Sequence, residues 1–108
     1  MAKKKQHLLV LSTCQGKIIA KNIANELITN NLAACVQLVP DVQSFFCWAG
    51  KIDSSDEILL LIKTTTDCYE ELEQKLRSMH PYELPEIIAV SISIGFNEYL
   101  SWINDNTK

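Results

Sequence analysis

Two runs rich in β-branched and aromatic residues, 34–48 and 51–65, are separated only by Ala49-Gly50, and this arrangement dictates a long antiparallel hairpin. Arms of about fourteen residues, at about 3.3 Å per residue, reach roughly 46 Å. A compact chain of 108 residues has a radius of gyration near ~13 Å and is about 34 Å across. The hairpin therefore overhangs its own domain. An overhang carrying Phe45, Phe46 and Trp48 leaves apolar surface and unpaired backbone in water, an aggregation hazard that a second subunit removes. The expectation is a homo-oligomer. Pro40-Asp41 interrupts the first arm; proline withholds a ladder donor, so it belongs at an edge, a bulge or a real break, and a break would shorten the overhang.

The rest of the chain alternates strands with helices. Residues 8–13 form a short apolar run fit for a buried strand, and Gly16 breaks it. Between residues 17 and 31, Ile19, Ile23 and Leu27, flanked by Ala20, Ala24 and Ile28, make an apolar stripe at helical spacing, with Asn22, Asn25, Glu26 and Thr29 turned to water. A second helix starts at an Asp67-x-x-Glu70 signal and presents Cys68, Leu72, Leu76 and Met79 on one face. Glu71/Lys75 and Glu73/Arg77 lie four apart, the pattern of a solvated face. Later, Ile88, Val90, Ile92 and Ile94 alternate with Ala89, Ser91 and Ser93, which predicts a half-buried strand closed by Gly95. Asn97 is placed to cap a short final helix that docks through Tyr99, Leu100, Trp102 and Ile103. The order βαββαβ plus a helix is an α+β, ferredoxin-like split βαβ fold, an antiparallel sheet with two helices on one face. It occupies residues 8–108 as one domain, with residues 1–7 a flexible N-terminal segment.

Charge and cysteine spacing exclude several functions. A net charge of −3 and a pI near 5.3 argue against nucleic acid as a partner, because phosphate neutralisation needs a basic surface. Lys3, Lys4 and Lys5 precede a short apolar run that imitates a signal peptide but has no small-residue cleavage site, so the reading is cytoplasmic. No stretch approaches the roughly 20 apolar residues that span a bilayer, so membrane insertion is not expected. Cys14, Cys35, Cys47 and Cys68 include no Cys-x-x-Cys, which removes the usual zinc and thioredoxin-type signatures. Their ordinary role is as small buried hydrophobes, although thiolates far apart in sequence can meet in a folded sheet and suit reduced copper.

His80-Pro81-Tyr82-Glu83-Leu84-Pro85-Glu86 packs an imidazole, a phenol and two carboxylates between two prolines. Each proline fixes its own backbone and pushes the preceding residue into extended geometry, so these polar groups are aimed rigidly. The connector is either a binding wall or a boundary between elements. Glu83 and Glu86 near His80 are sufficient for acid and base roles. The chain lacks a nucleophile signature and a phosphate-cradling glycine loop, having three glycines in all, and the expectation is that it is not an enzyme.

Five separated blocks, Leu32-Ala33-Ala34-Cys35-Val36, Trp48-Ala49-Gly50-Lys51-Ile52, Ile62-Lys63-Thr64, His80-Pro81-Tyr82 with Pro85-Glu86-Ile87-Ile88, and Tyr99-Leu100-x-Trp102, together resemble the CutA divalent-cation tolerance proteins over roughly residues 8 to 104. The resemblance implies a homotrimer whose hairpin strands pair between neighbours, and a role in tolerance of copper and other metal ions, divalent or monovalent. It also implies copper ligands at Cys35 and His80. Where some members carry a further histidine this chain has Met79; where some carry a first-strand cysteine it has Ser12, and Cys14, two residues on, shares that face, so Met79 or Cys14 would join Cys35 and His80 in a soft sulfur and nitrogen set suited to Cu(I). A second reading makes the trimer a signalling or ligand-binding module whose inter-subunit cleft holds a small anionic ligand. Its wall would be Trp48, Lys63, Tyr82, Glu86 and Trp102, with Lys63 and Glu86 alternatively a structural ion pair.

Overall fold

A computed structural model describes residues 6–108. In chain order its elements are β1 (His7–Cys14), α1 (Lys17–Thr29), β2 (Cys35–Trp48), β3 (Lys51–Thr65), α2 (Thr66–Met79), β4 (Ile88–Ser91) and α3 (Asn97–Asp105). The strands form one antiparallel sheet in the order β2-β3-β1-β4, the split βαβ topology expected from the sequence. The basic run Lys3-Lys4-Lys5 and most of the expected flexible segment lie outside the described residues. His7 itself is in β1, and the backbone N–H of Gln6 donates to Thr66 Oγ1 at 3.1 Å.

The hairpin is as long as the sequence requires. Ala49 and Gly50 both have positive φ, 52° and 79°, which a two-residue turn needs to match the twist of its strands. Pro40-Asp41 is a bulge and not a break: Val39 pairs with Leu59 and Val42 with Glu57, and Asp41 takes φ 62° to absorb the extra residue. The arms stay continuous, and the molecule measures 46 Å along its longest axis.

Residues paired across strands share a face, so the register sorts the sheet into two sides. Val10, Ile58, Leu60 and Ile62 point to α1 and α2, where Ile23, Leu27, Leu72 and Leu76 complete a core with almost no exposed surface. The other face carries Leu9, Leu11, Leu59, Leu61, Ile88 and Val90. No helix covers most of it; α3 reaches only one end, where His7 Nε2 donates to Leu100 O and lies 3.1 Å from Asn104 Oδ1, and where Ile103 is fully buried.

This open face explains the largest departure from the sequence expectation. The strand expected over residues 88–94 as half-buried forms a ladder only over Ile88–Ser91, with one further bond from Ile92 N–H to His7 O at 2.9 Å, and Ile88, Val90 and Ile94 remain 52%, 48% and 87% exposed. The period of two is real, but most of the face that it marks is left uncovered by the described residues. Helix ends also differ. The Asp67-x-x-Glu70 start is not used: α2 begins at Thr66, its N-cap Thr65 makes no side-chain capping bond, and Asp67 sits inside the first turn beside the positive end of the helix. At α3 the cap position is Phe96, not Asn97. The expected i, i+4 ion pairs of α2 are replaced by other partners: Lys75 meets Glu26 of α1 at 3.5 Å, Glu71 meets Lys108 beyond α3 at 2.8 Å, and Glu73 accepts from Tyr69 Oη, one turn earlier in the same helix, at 2.9 Å. No helix among the described residues is long and apolar enough to cross a membrane.

Candidate functional site

The proline connector and the overhanging hairpin face each other across a cleft of about 810 Å³. Its geometry begins with His80. Pro81 forbids helical backbone at the preceding residue, so α2 stops at Met79 and His80 takes φ −76°, ψ 133°. The ring is buried, and its Nε2 lies 2.7 Å from Thr13 O. A carbonyl only accepts, so Nε2 carries the hydrogen; Nδ1 is then free to accept the Tyr82 backbone N–H at 3.1 Å. Both ring nitrogens are thereby used to pin the connector to the end of β1. The His80 and Tyr82 rings meet edge to face at 4.6 Å, and the Tyr82 hydroxyl donates to Glu57 Oε2 at 2.7 Å.

Glu57 is only 7% exposed. The strand period turns it away from the core-facing Ile58, into the cleft. Burial and then the Glu57 carboxylate push the Tyr82 phenol up to about 12, because ionising it would place a second negative charge beside the first. Cys14 is raised as well, first by burial and then by Glu57. A further bond, Gln15 Nε2 to Ser55 Oγ at 2.6 Å, ties the end of β1 to the hairpin. Phe46 and Trp48, which the register places on the Glu57 face, form the hairpin wall, and Glu83, Leu84, Pro85 and Glu86 the opposite one.

The structure divides the candidate residues. Trp48, Tyr82 and Glu86 share the cleft. Lys63 and Trp102 do not: Lys63 Nζ donates to Tyr99 Oη at 3.2 Å and lies 5.3 Å from that ring's centre, while Tyr99 stacks on Trp102 at 5.5 Å. Lys63 makes no ion pair with Glu86 among the described residues. The metal candidates are divided too. Cys14 is fully buried on the helix-covered side opposite Ile58, Met79 packs against the core, and His80 has both nitrogens occupied. Cys35 is half-buried opposite Lys63 on the open face, and its register partner on β1, Leu9, is five residues from Cys14, roughly 17 Å along the strand. The four therefore do not form one coordination set within the chain, and no group of three or more His, Cys, Asp or Glu side chains converges to hold a metal among the described residues.

Glu57 was missed by the reading of the sequence. Its signal was present: it is the one acid contiguous with the unbroken apolar run 58–62, and a charge at the head of a buried strand calls for a partner. Phe46 was read only as oligomer surface, whereas it also lines the cleft.

Residues 8–106 match the CutA1 divalent ion tolerance protein family. The divalent-cation tolerance protein CutA of Thermus thermophilus is 41% identical, with 92% of this chain and 96% of that protein covered. The human protein CutA is 40% identical over 89% of this chain, and the chain spans only 54% of its length. Among solved structures, CutA from Xylella fastidiosa superimposes with a TM-score of 0.93 at 42% identity, covering 95% and 99% of the two chains. The periplasmic divalent cation tolerance protein CutA from Archaeoglobus fulgidus gives 0.91 at 34% identity, covering 94% and 99%. The chain belongs to the CutA1 divalent ion tolerance protein family.

Proposed function

From membership of that family, we propose that this protein is a homotrimer that takes part in divalent-cation tolerance by binding cations and not by catalysis, with copper as its candidate metal. The observation that carries the trimer is the open face: Leu9, Leu11, Leu59, Leu61, Ile88 and Val90 form an apolar face that, among the described residues, no helix covers beyond the end reached by α3. Burial of such a face stabilises by about 25 cal/mol for each Å² removed from water, and the overhanging hairpin lies where a neighbour can pair with it.

Direct copper binding, in this reading, runs through Cys35. Of the four candidate donors it is the one on the open face with a half-exposed thiol and no hydrogen bond among the described residues. Its remaining ligands are to come from a neighbouring subunit, since among the described residues no group of three donors converges on it. A soft thiolate selects Cu(I) over magnesium or calcium, and the four free cysteines accord with a reducing, cytoplasmic setting. Native mass spectrometry during anaerobic Cu(I) titration tests this. The expected result is a trimer taking up copper in multiples of three, with uptake lost in Cys35→Ser; a trimer that takes up no copper contradicts direct metal handling.

A second reading is favoured by one specific observation, the cleft in which a buried carboxylate, a phenol and aromatic walls converge. In it the trimer is a ligand-binding module. The anionic ligand expected from the sequence finds no support here: Lys63 is elsewhere, and among the described residues the lining holds no Lys, Arg or His.

A further inference from the structure

Granting that the cleft is a ligand site, as the second reading holds, we infer that its ligand is a small organic ammonium ion, with the charged head against Glu57 and the apolar body on the aromatic walls. Charge decides the sign. Among the described residues, Asp53, Glu57, Glu83 and Glu86 line the cleft without a basic side chain beside them, so an anion entering it meets repulsion from several sides. Glu57 adds a stronger demand. It is more than nine-tenths buried, its one bonded partner is the neutral Tyr82 hydroxyl, and no Lys, Arg or His forms an ion pair with it among the described residues. A carboxylate withdrawn from water without a counter-charge is costly to hold, and a cation arriving beside it relieves that cost.

The donor arrangement then separates an organic cation from a metal ion. Calcium requires about six to eight oxygen ligands and zinc about four ligands around one point, and no three suitable side chains converge among the described residues. An ammonium head needs one carboxylate, and its partly desolvated charge is also attracted to the faces of aromatic rings. Trp48, Phe46 and Tyr82 line the cleft; the register places Phe46 and Trp48 on the same face of the hairpin as Glu57, and within a single chain they are 41% and 50% exposed, so their rings offer surface to a visitor. Size agrees: about 810 Å³ is within the range of roughly 300–1,000 Å³ typical of small-molecule sites and far larger than a bare ion requires.

The test uses the assembled, full-length protein labelled with ¹⁵N. The two tryptophans give separate indole N–H signals, Trp48 in the cleft and Trp102 on α3. Benzylammonium, benzyl alcohol, benzoate and zinc chloride are titrated in turn. The expected result is that benzylammonium moves the Trp48 signal and leaves Trp102 in place, that the alcohol and the benzoate bind far more weakly, and that Glu57→Gln weakens benzylammonium by about tenfold, the loss of one charge-assisted contact. Should Glu57→Gln fail to fold, Glu83→Gln/Glu86→Gln on the exposed connector must give a smaller loss in the same direction. Equal binding of benzyl alcohol, or a response to zinc alone, overturns the inference. Preference for benzoate overturns it while leaving the cleft a ligand site. A Trp48 signal that no probe moves overturns it together with the second reading, and identifies the cleft as space taken up by a neighbouring subunit.

Discussion

The two faces of the sheet are built from similar residues and are finished to different degrees. On one side Val10, Leu60 and Ile62 meet Ile23, Leu27, Leu72 and Leu76 with essentially no exposed surface. On the other, Leu9, Leu11, Ile88 and Val90 alternate just as regularly and end in water or partial shelter. The first face accounts for why a single chain folds. The second is left largely uncovered by the described residues, and both candidate functional features, the Cys35 thiol and the cleft, lie on that side or at its margin. Residues that hold the fold and residues available for function are thus separated by the pleat of the strands.

That contrast is most sharply tested by paired substitutions. Leu72→Ala on the closed side should cost about 2–5 kcal/mol, the usual range for truncating a buried leucine, measured by chemical denaturation. Val90→Asp on the open side should leave the fold of a single chain nearly intact, since that side chain is already 48% exposed, yet abolish assembly in size-exclusion chromatography with light scattering. An equal loss of stability without loss of assembly in Val90→Asp would break the comparison.

A smaller effect is expected at the cleft with pH. Tyr82 has its folded-state phenol raised from the ordinary value of 10.0 to about 12, so its neutral form is favoured by folding. The stability that it contributes is fully present below pH 10 and is lost as pH rises towards 12. Absorbance titration of the phenolates should show one tyrosine ionising latest, absent in Tyr82→Phe, and that variant should have a weaker pH dependence of unfolding over the same window. The smallest effect belongs to Glu26→Gln, which removes a half-exposed pair with Lys75 and should change stability by no more than about 1 kcal/mol.

Much of the fold was legible because its signals are local. The hairpin followed from two β-rich runs around Ala49-Gly50, and the helices from stripes such as Ile23/Leu27 and Leu72/Leu76. Pro40-Asp41 announced an irregularity, although only the register showed that a bulge absorbs it. What could not be read was which apolar stripe finds a cover. Ile88 and Val90 have the same periodicity as a buried strand, and periodicity reports a face without reporting what packs on it. The cleft was half legible. The connector stood out through its prolines, but Glu57 reaches Tyr82 across 25 positions, and a polar contact of that separation has no local signature. The metal candidates failed to converge for a related reason: successive strand residues point to opposite faces, so Cys14 and Cys35 are placed on different sides of the sheet.

The claim that joins these points is that the open face is an interface between copies of this chain. Sedimentation equilibrium across a wide dilution range measures it directly. The account requires a single species at three times the 12.2 kDa chain mass, persisting to low concentration in the natural protein and absent in Val90→Asp. A species that stays at 12.2 kDa at every concentration would contradict it.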